Sequence, residues 1–257
     1  MSFFHRDSGE RSYQLPEVPI AGRIRVTDRI GHKDGMFKKG NEDHYFSVGR
    51  SALEAVRLAM LAAKREDFRK ILDLPCGHGR VLRALKGAFP SAFFTACDLN
   101  RAGVDFCVEH FGATGDYSNP EPRKIELEGP YDLIWSGSLL THLSEEPYIE
   151  FLRLFARLLE PGGVFVATTH GRHVAARLRA AKHTYKLAPE SLPGVVAQYD
   201  AGGFGYADYP GGEGYGVSVN TPEWLMRKVS EVVGIRVAMF SEKFWDGHQD
   251  VVACVKG

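Results

Sequence analysis

The chain has 257 residues, and its 32 Lys plus Arg balance 32 Asp plus Glu. That length suits one α/β domain with added pieces, and 44% apolar with 25% charged residues excludes a largely disordered chain. Zero net charge removes any bulk attraction to nucleic acid or an anionic membrane surface.

Cys76, Cys97, Cys107 and Cys254 are scattered, with no C-x-x-C pair. They read as free thiols in a reducing compartment rather than a disulfide framework or a zinc site. The N-terminus carries no apolar run, and no stretch approaches the ~18 apolar residues of a membrane span. The expectation is a cytoplasmic protein with neither nucleic-acid nor membrane partners and no bound metal.

Residues 1–44 read as an arm lying on the main domain, with a short strand over Gly22–Val26 and a plausible role in homodimer contact. Ser51-Ala52-Leu53-Glu54 reads as a capping box that opens the first helix, with Leu53, Val56, Met60 and Leu61 at helical spacing. Strands are predicted over 70–74, 92–96, 133–136 and 164–168, and helices over about 79–88, 101–110 and 145–159. Ser144 stands where it can cap the last helix, and Pro161-Gly162-Gly163 reads as the turn that stops it. A βαβ rhythm of this kind implies a mostly parallel sheet covered on both faces. Thr221-Pro222 opens a helix that Gly234 ends, and strands near 235–240 and 250–255 form an antiparallel terminal hairpin. Between them, residues 183–220 hold five of the chain's ten tyrosines and eight glycines, a composition that suits a packed lid over a site.

Ile71-Leu72-Asp73-Leu74-Pro75-Cys76-Gly77-His78-Gly79 is the most informative stretch. An apolar strand ends in an acid, passes a Gly-x-Gly turn and enters a helix, so backbone can approach a ligand closely. The sixth position from Gly77 is Leu82, which breaks the dinucleotide fingerprint, and Arg80-Val81 does not complete a P-loop. A second acid, Asp98, ends the next strand, where a carboxylate can accept both ribose hydroxyls. Asp116 is a third, placed to meet a base amino group. The set asks for a nucleoside without phosphates that carries an amino-acid tail. For each acid the alternative role is a turn or helix cap.

These residues, with Asp132-Leu133-Ile134-Trp135 and Leu159-Glu160-Pro161-Gly162-Gly163, resemble the ordered motifs of class I S-adenosylmethionine-dependent methyltransferases. The resemblance covers roughly residues 45–257. It implies a Rossmann-like, mostly parallel seven-stranded sheet with an antiparallel terminal hairpin. Pro75 departs from the pattern, standing where the first glycine of the loop is usual. Carried over, the resemblance implies that Asp73 and the backbone of Cys76, Gly77 and Gly79 hold the methionine portion. Asp98 would hold the ribose, Leu99 one face of adenine, and Asp116 its amino group. Trp135 and Ser136 would line the methionine end, and Tyr45 would close over the cofactor, whose product form is S-adenosylhomocysteine.

Methyl transfer to a hydroxyl benefits from a general base, most often histidine. His142 follows the fourth strand and His170 the fifth, both at the edge where open α/β sheets bind ligands. From Pro161 through Pro189 there is no acid, whereas Arg172, Arg177, Arg179, Lys182 and Lys186 are present. Arg172 therefore reads as a contact for an anionic acceptor, and Tyr206 and Tyr209 as rings that stack on one. His248, in the hairpin turn, reads as exposed. The leading expectation is O-methylation of a hydroxylated, sugar-like or anionic small molecule. A non-catalytic domain that binds the cofactor is the alternative from another class. Aminopropyl transfer is disfavoured by the acid-free stretch.

Overall fold

The computed structural model describes residues 4–7, 10–13, 19, 20 and 22–257. The remaining residues of the arm lie outside that description. Within it, β1 (Phe4–Asp7) and β2 (Glu10–Tyr13) form an antiparallel pair.

The first helix, α1 (Glu42–Ala63), begins nine residues before the Ser51 capping box. Ser51 is thus inside the helix, and its hydroxyl bonds the terminal hairpin instead: it accepts from Asp246 N at 2.9 Å and donates to Phe244 O at 3.4 Å. Local sequence cannot distinguish a serine that caps from one that fastens a distant strand.

A βαβ succession follows: β3 (Lys70–Asp73), α2 (Leu82–Ala88), β4 (Phe93–Asp98), α3 (Arg101–Phe111), β5 (Thr114–Tyr117), β6 (Tyr131–Ser136), α4 (Glu145–Leu158) and β7 (Leu159–Thr169). The chain ends with α7 (Pro222–Ser230) and the hairpin β10 (Ile235–Trp245) and β11 (Gln249–Lys256). Seven strands make one sheet in the order β10-β11-β7-β6-β3-β4-β5, parallel except where β11 meets β7 and β10. Val56, Leu82 and Val104, one from each of α1, α2 and α3, pack on one face, and Phe155 of α4 with Leu225 of α7 on the other. The expected Rossmann-like architecture is therefore present, and Thr221 caps α7 by accepting from Trp224 N.

Three local expectations change. Gly22–Val26 forms no strand but lies against α2, where a Cβ at Gly87 would strike the Arg25 carbonyl. Pro161-Gly162-Gly163 is not a turn between elements. It is a bulge inside β7, since Tyr131 pairs with Leu159 but Leu133 pairs with Val164. Ser144 stands at the N-cap of α4 without a side-chain capping bond.

The insertion has structure of its own. Helix α5 (Arg172–Arg179), helix α6 (Leu192–Gly202) and the antiparallel pair β8 (Phe204–Asp208) and β9 (Gly216–Asn220) enclose a separate small core that includes Val174, Leu178, Leu187, Val195, Val217 and Val219. This cap therefore starts at α5, about ten residues before the tyrosine-rich composition begins.

Candidate active site

β3 delivers Asp73 to the C-terminal edge of the sheet, where its side chain is 1% exposed. Both carboxylate oxygens lack a partner among the described residues. Burial, and then the negative charge of Asp98, holds this carboxyl well above the usual range. A buried acid left unpaired is costly, so its retention points to a donor that the chain itself does not provide.

The turn after it packs tightly. Gly77 and Gly79 take φ of +50° and +73°, and a Cβ on Gly79 would overlap the Phe111 ring. Cys76 N donates to Cys97 O at 3.0 Å, so the turn stays joined to the sheet despite Pro75. Asp98 accepts from Gly77 N at 2.7 Å and from Asn100 N at 2.8 Å. It braces the turn, yet each oxygen keeps a second lone pair for a hydroxyl donor. Leu99 beside it is 58% exposed. Asp116, opposite Cys97 in the β4–β5 register, is half-buried, and burial raises its carboxyl. Three acids thus stand on the ends of three adjacent strands.

Sequence reasoning missed what supports this turn. Arg83 is 3% exposed and spends its guanidinium on the carbonyls of Gly79, Thr27, Arg29 and His78 and on the Tyr45 hydroxyl. Tyr45 in turn donates to Asp34 at 2.6 Å. Tyr45 lies buried in the first turn of α1, committed to bracing the glycine turn from beneath, which leaves it no freedom to close over a ligand. Nothing in the local sequence marks Arg83, because its acceptors are mostly backbone carbonyls, and those of Thr27 and Arg29 lie more than fifty residues away along the chain.

Trp135 and Ser136 end β6. Trp135 is buried edge-on to Trp245, with ring centroids 5.5 Å apart, so its indole belongs to the core and is not a free lining group. Ser136 is fully buried, with its hydroxyl unpartnered among the described residues.

Beyond β6 and β7, two histidines meet the edge of β9. His142 Nδ1 lies 2.8 Å from Gly216 O and His170 Nδ1 lies 3.2 Å from Ser218 O. Residues two apart on a strand present their carbonyls to the same side, so one strand edge holds both rings. A carbonyl only accepts, so each Nδ1 carries the hydrogen and each Nε2 keeps its lone pair. Burial lowers both rings: His142 moves down from its ordinary value, and His170, fully enclosed, falls to about 3. Tyr209 Oη is 3.0 Å from His142 Nδ1, and burial pushes its phenol up to about 12. Tyr215, not singled out from sequence, packs its ring 4.9 Å from His142, and burial, then the charge of Asp98, pushes its phenol up. It connects the cap to the acid row.

Arg172 does not face a free site. Its guanidinium pairs with Glu223 at 3.0 Å and Glu242 at 3.4 Å, acids that fold back from distant segments. The Tyr206 hydroxyl donates to Asp208 on its own strand. His248 is not an exposed turn residue, since it sits between Tyr185, His170 and His173. Among the described residues, no group of three or more His, Cys, Asp or Glu could hold a metal ion.

The fold is Rossmann-like, with a row of acids on the strand ends. Residues 72–165 match the profile of the methyltransferase-domain family. A methyltransferase from Clostridium acetobutylicum, described as S-adenosylmethionine-dependent, shares the fold with a TM-score of 0.58 at 12% identity, covering 81% of this chain and 92% of that one. A probable phthiotriol/phenolphthiotriol dimycocerosates methyltransferase of Mycobacterium ulcerans is 29% identical over 99 residues, 38% of either chain. The fatty-acid O-methyltransferase of Mycolicibacterium smegmatis is 28% identical over 104 residues, 40% of this chain and 37% of its own length. The matched stretches thus span about two fifths of these curated relatives. The methyltransferase-domain match and the shared fold support the class I S-adenosylmethionine-dependent methyltransferase superfamily.

Proposed function

We propose that the protein transfers a methyl group from S-adenosylmethionine to an oxygen of a small hydroxylated molecule. The observation that carries the cofactor is Asp73, an enclosed carboxylate with both oxygens unpaired beside a glycine turn. An α-ammonium is the donor such a group lacks, and the ribose would fall to Asp98, with Leu99 and Asp116 toward the base. Cys76, Gly77 and Gly79 supply the close backbone. Bound there, the cofactor would supply an electrophilic methyl carbon on a cationic sulfur.

For the acceptor, His142 is the base and His170 its positioning neighbour. His142 is only partly enclosed, keeps Nε2 free, and stands by Tyr215 on the side facing Asp98. It takes the hydroxyl proton as the oxygen–carbon bond forms and the sulfur–carbon bond breaks. His170, at a value near 3 and 4% exposed, is too weak a base and too enclosed for that task. The fatty-acid O-methyltransferase among the relatives supports oxygen as the receiving atom.

Among the described residues no helix is long and apolar enough to cross a membrane. The four free, buried thiols support a reducing, cytoplasmic setting.

Calorimetry with S-adenosylmethionine and S-adenosylhomocysteine tests the reading. We expect micromolar binding, weakened about a hundredfold in Asp98→Ala, since a charged hydrogen bond contributes about 1.5–3 kcal/mol. Folded wild-type protein that binds neither compound would remove the methyltransferase reading.

A further inference from the structure

Helix α5 carries three arginines whose surroundings differ. Arg172 ends on Glu223 and Glu242, and Arg179 on Asp200. Arg177 has no carboxylate partner among the described residues, and its Nε is buried without a hydrogen bond. The groups around it offer donors and no acid: the Tyr185 hydroxyl, also buried and unpartnered, and the rings of His173 and His248. Tyr185 stacks on His248 with centroids 5.5 Å apart, and both touch His170 at 5.5 and 5.6 Å. The cluster therefore adjoins the histidine pair at the ends of β6 and β7.

The backbone adds an independent sign. Tyr185 and Lys186 both hold positive φ, +54° and +69°, a conformation that side chains with a Cβ adopt only at a cost. Tyr185 is held in the cluster against that cost.

Building on the methyltransferase reading, we infer that Arg177 and Tyr185 anchor a carboxylate carried by the methyl acceptor, with the acceptor's hydroxyl directed toward His142. Arg177 is partly buried, and its enclosed Nε lacks an acceptor that an anion would supply, since a guanidinium fork matches two carboxylate oxygens. Charge selects the class. Burial lowers His173 and His248, which keeps both neutral, and at the rim Lys243 near His173 is offset by Asp246 near His248. One guanidinium thus faces these neutral rings, with Lys186 acting on His142 at the other end, and a single fork suits a monoanion rather than a phosphate dianion.

Calorimetry on the full chain saturated with S-adenosylhomocysteine tests this with paired probes: 4-hydroxybenzoate against 4-hydroxybenzamide, 3-hydroxyoctanoate against its amide, and 4-hydroxyphenyl phosphate as the dianion. At least one acid is expected to bind about tenfold more tightly than its amide. Arg177→Gln should abolish that preference, Tyr185→Phe should reduce it several-fold, and Arg179→Gln should leave it. Equal binding of acids and amides, a preference that survives Arg177→Gln, or a tenfold preference for the phosphate would each overturn the assignment. If Arg177→Gln does not fold, an unchanged preference in Tyr185→Phe overturns it. Absence of S-adenosylhomocysteine binding by the wild type would count against the methyltransferase reading alone, because the acid–amide comparison is still read on the free protein.

Discussion

The glycine-turn end of the sheet and the inserted cap treat polar groups in opposite ways. At the turn, polar groups serve the backbone: Asp98 holds two N–H groups and Arg83 collects carbonyls, while Asp73 is left unpaired among the described residues. In the cap, rings dominate, and the unused polar atoms belong to side chains such as Arg177 and Tyr185. The turn is thus shaped for one rigid ligand whose chemistry is set by a few fixed contacts. The cap is shaped by side chains on a small separate core, which can change its specificity without disturbing the sheet.

Substitutions sharpen that contrast. Arg83→Met should have the largest effect, removing about 3 kcal/mol of stability by orphaning several buried carbonyls and the Tyr45–Asp34 pair. It should weaken cofactor binding with it, read by denaturant melts and calorimetry. A melt within 1 kcal/mol of wild type would show that the arm and turn are not mechanically joined. His142→Asn should lower kcat about a hundredfold while leaving S-adenosylhomocysteine affinity intact, because it acts at the cap and not at the turn. Equal losses in both would erase the division of labour.

The next effect is on pH dependence. Burial raises Asp250 to about 6, so the native state holds its proton longer than the unfolded chain, and this group's stabilisation is lost as pH rises from about 4 to about 6. His170 has the opposite sign. Its folded value near 3 means the unfolded chain binds protons first, so stability is lost as pH falls below about 6.5. Asp250→Asn should therefore gain roughly 1 kcal/mol over wild type at pH 7 and less at pH 4, while His170→Asn should flatten the acid limb. Parallel stability–pH curves for wild type and both variants would contradict these assignments. Arg172→Gln should do least, within about 0.5 kcal/mol, because its two ion pairs are exposed. It should also leave the acid–amide preference in place, unlike Arg177→Gln.

The legibility of the sequence follows the same division. The turn and its acids could be read because strand, acid, glycines and helix are consecutive, and the constraint is local. The Rossmann-like order could be read because alternating apolar runs allow few topologies. The cap could be read only as composition. Tyrosines and glycines announced an insertion, but its start at α5 depends on Val174 and Leu178 meeting Val217 and Val219 some forty residues later. Ser51 and Arg172 misled for one reason. A capping serine and a free arginine are defined by what is absent nearby, and distant segments supplied the hairpin to the first and two glutamates to the second.

Sequence alone determined the fold class, the glycine turn and the acids at the strand ends, since these depend on periodicity and on neighbours along the chain. Tertiary structure decided which charges remain unpaired. Asp73 and Arg177 became candidate ligand contacts, and Arg172 did not, because pairing is a matter of distance in space and burial decides what an unpaired charge costs.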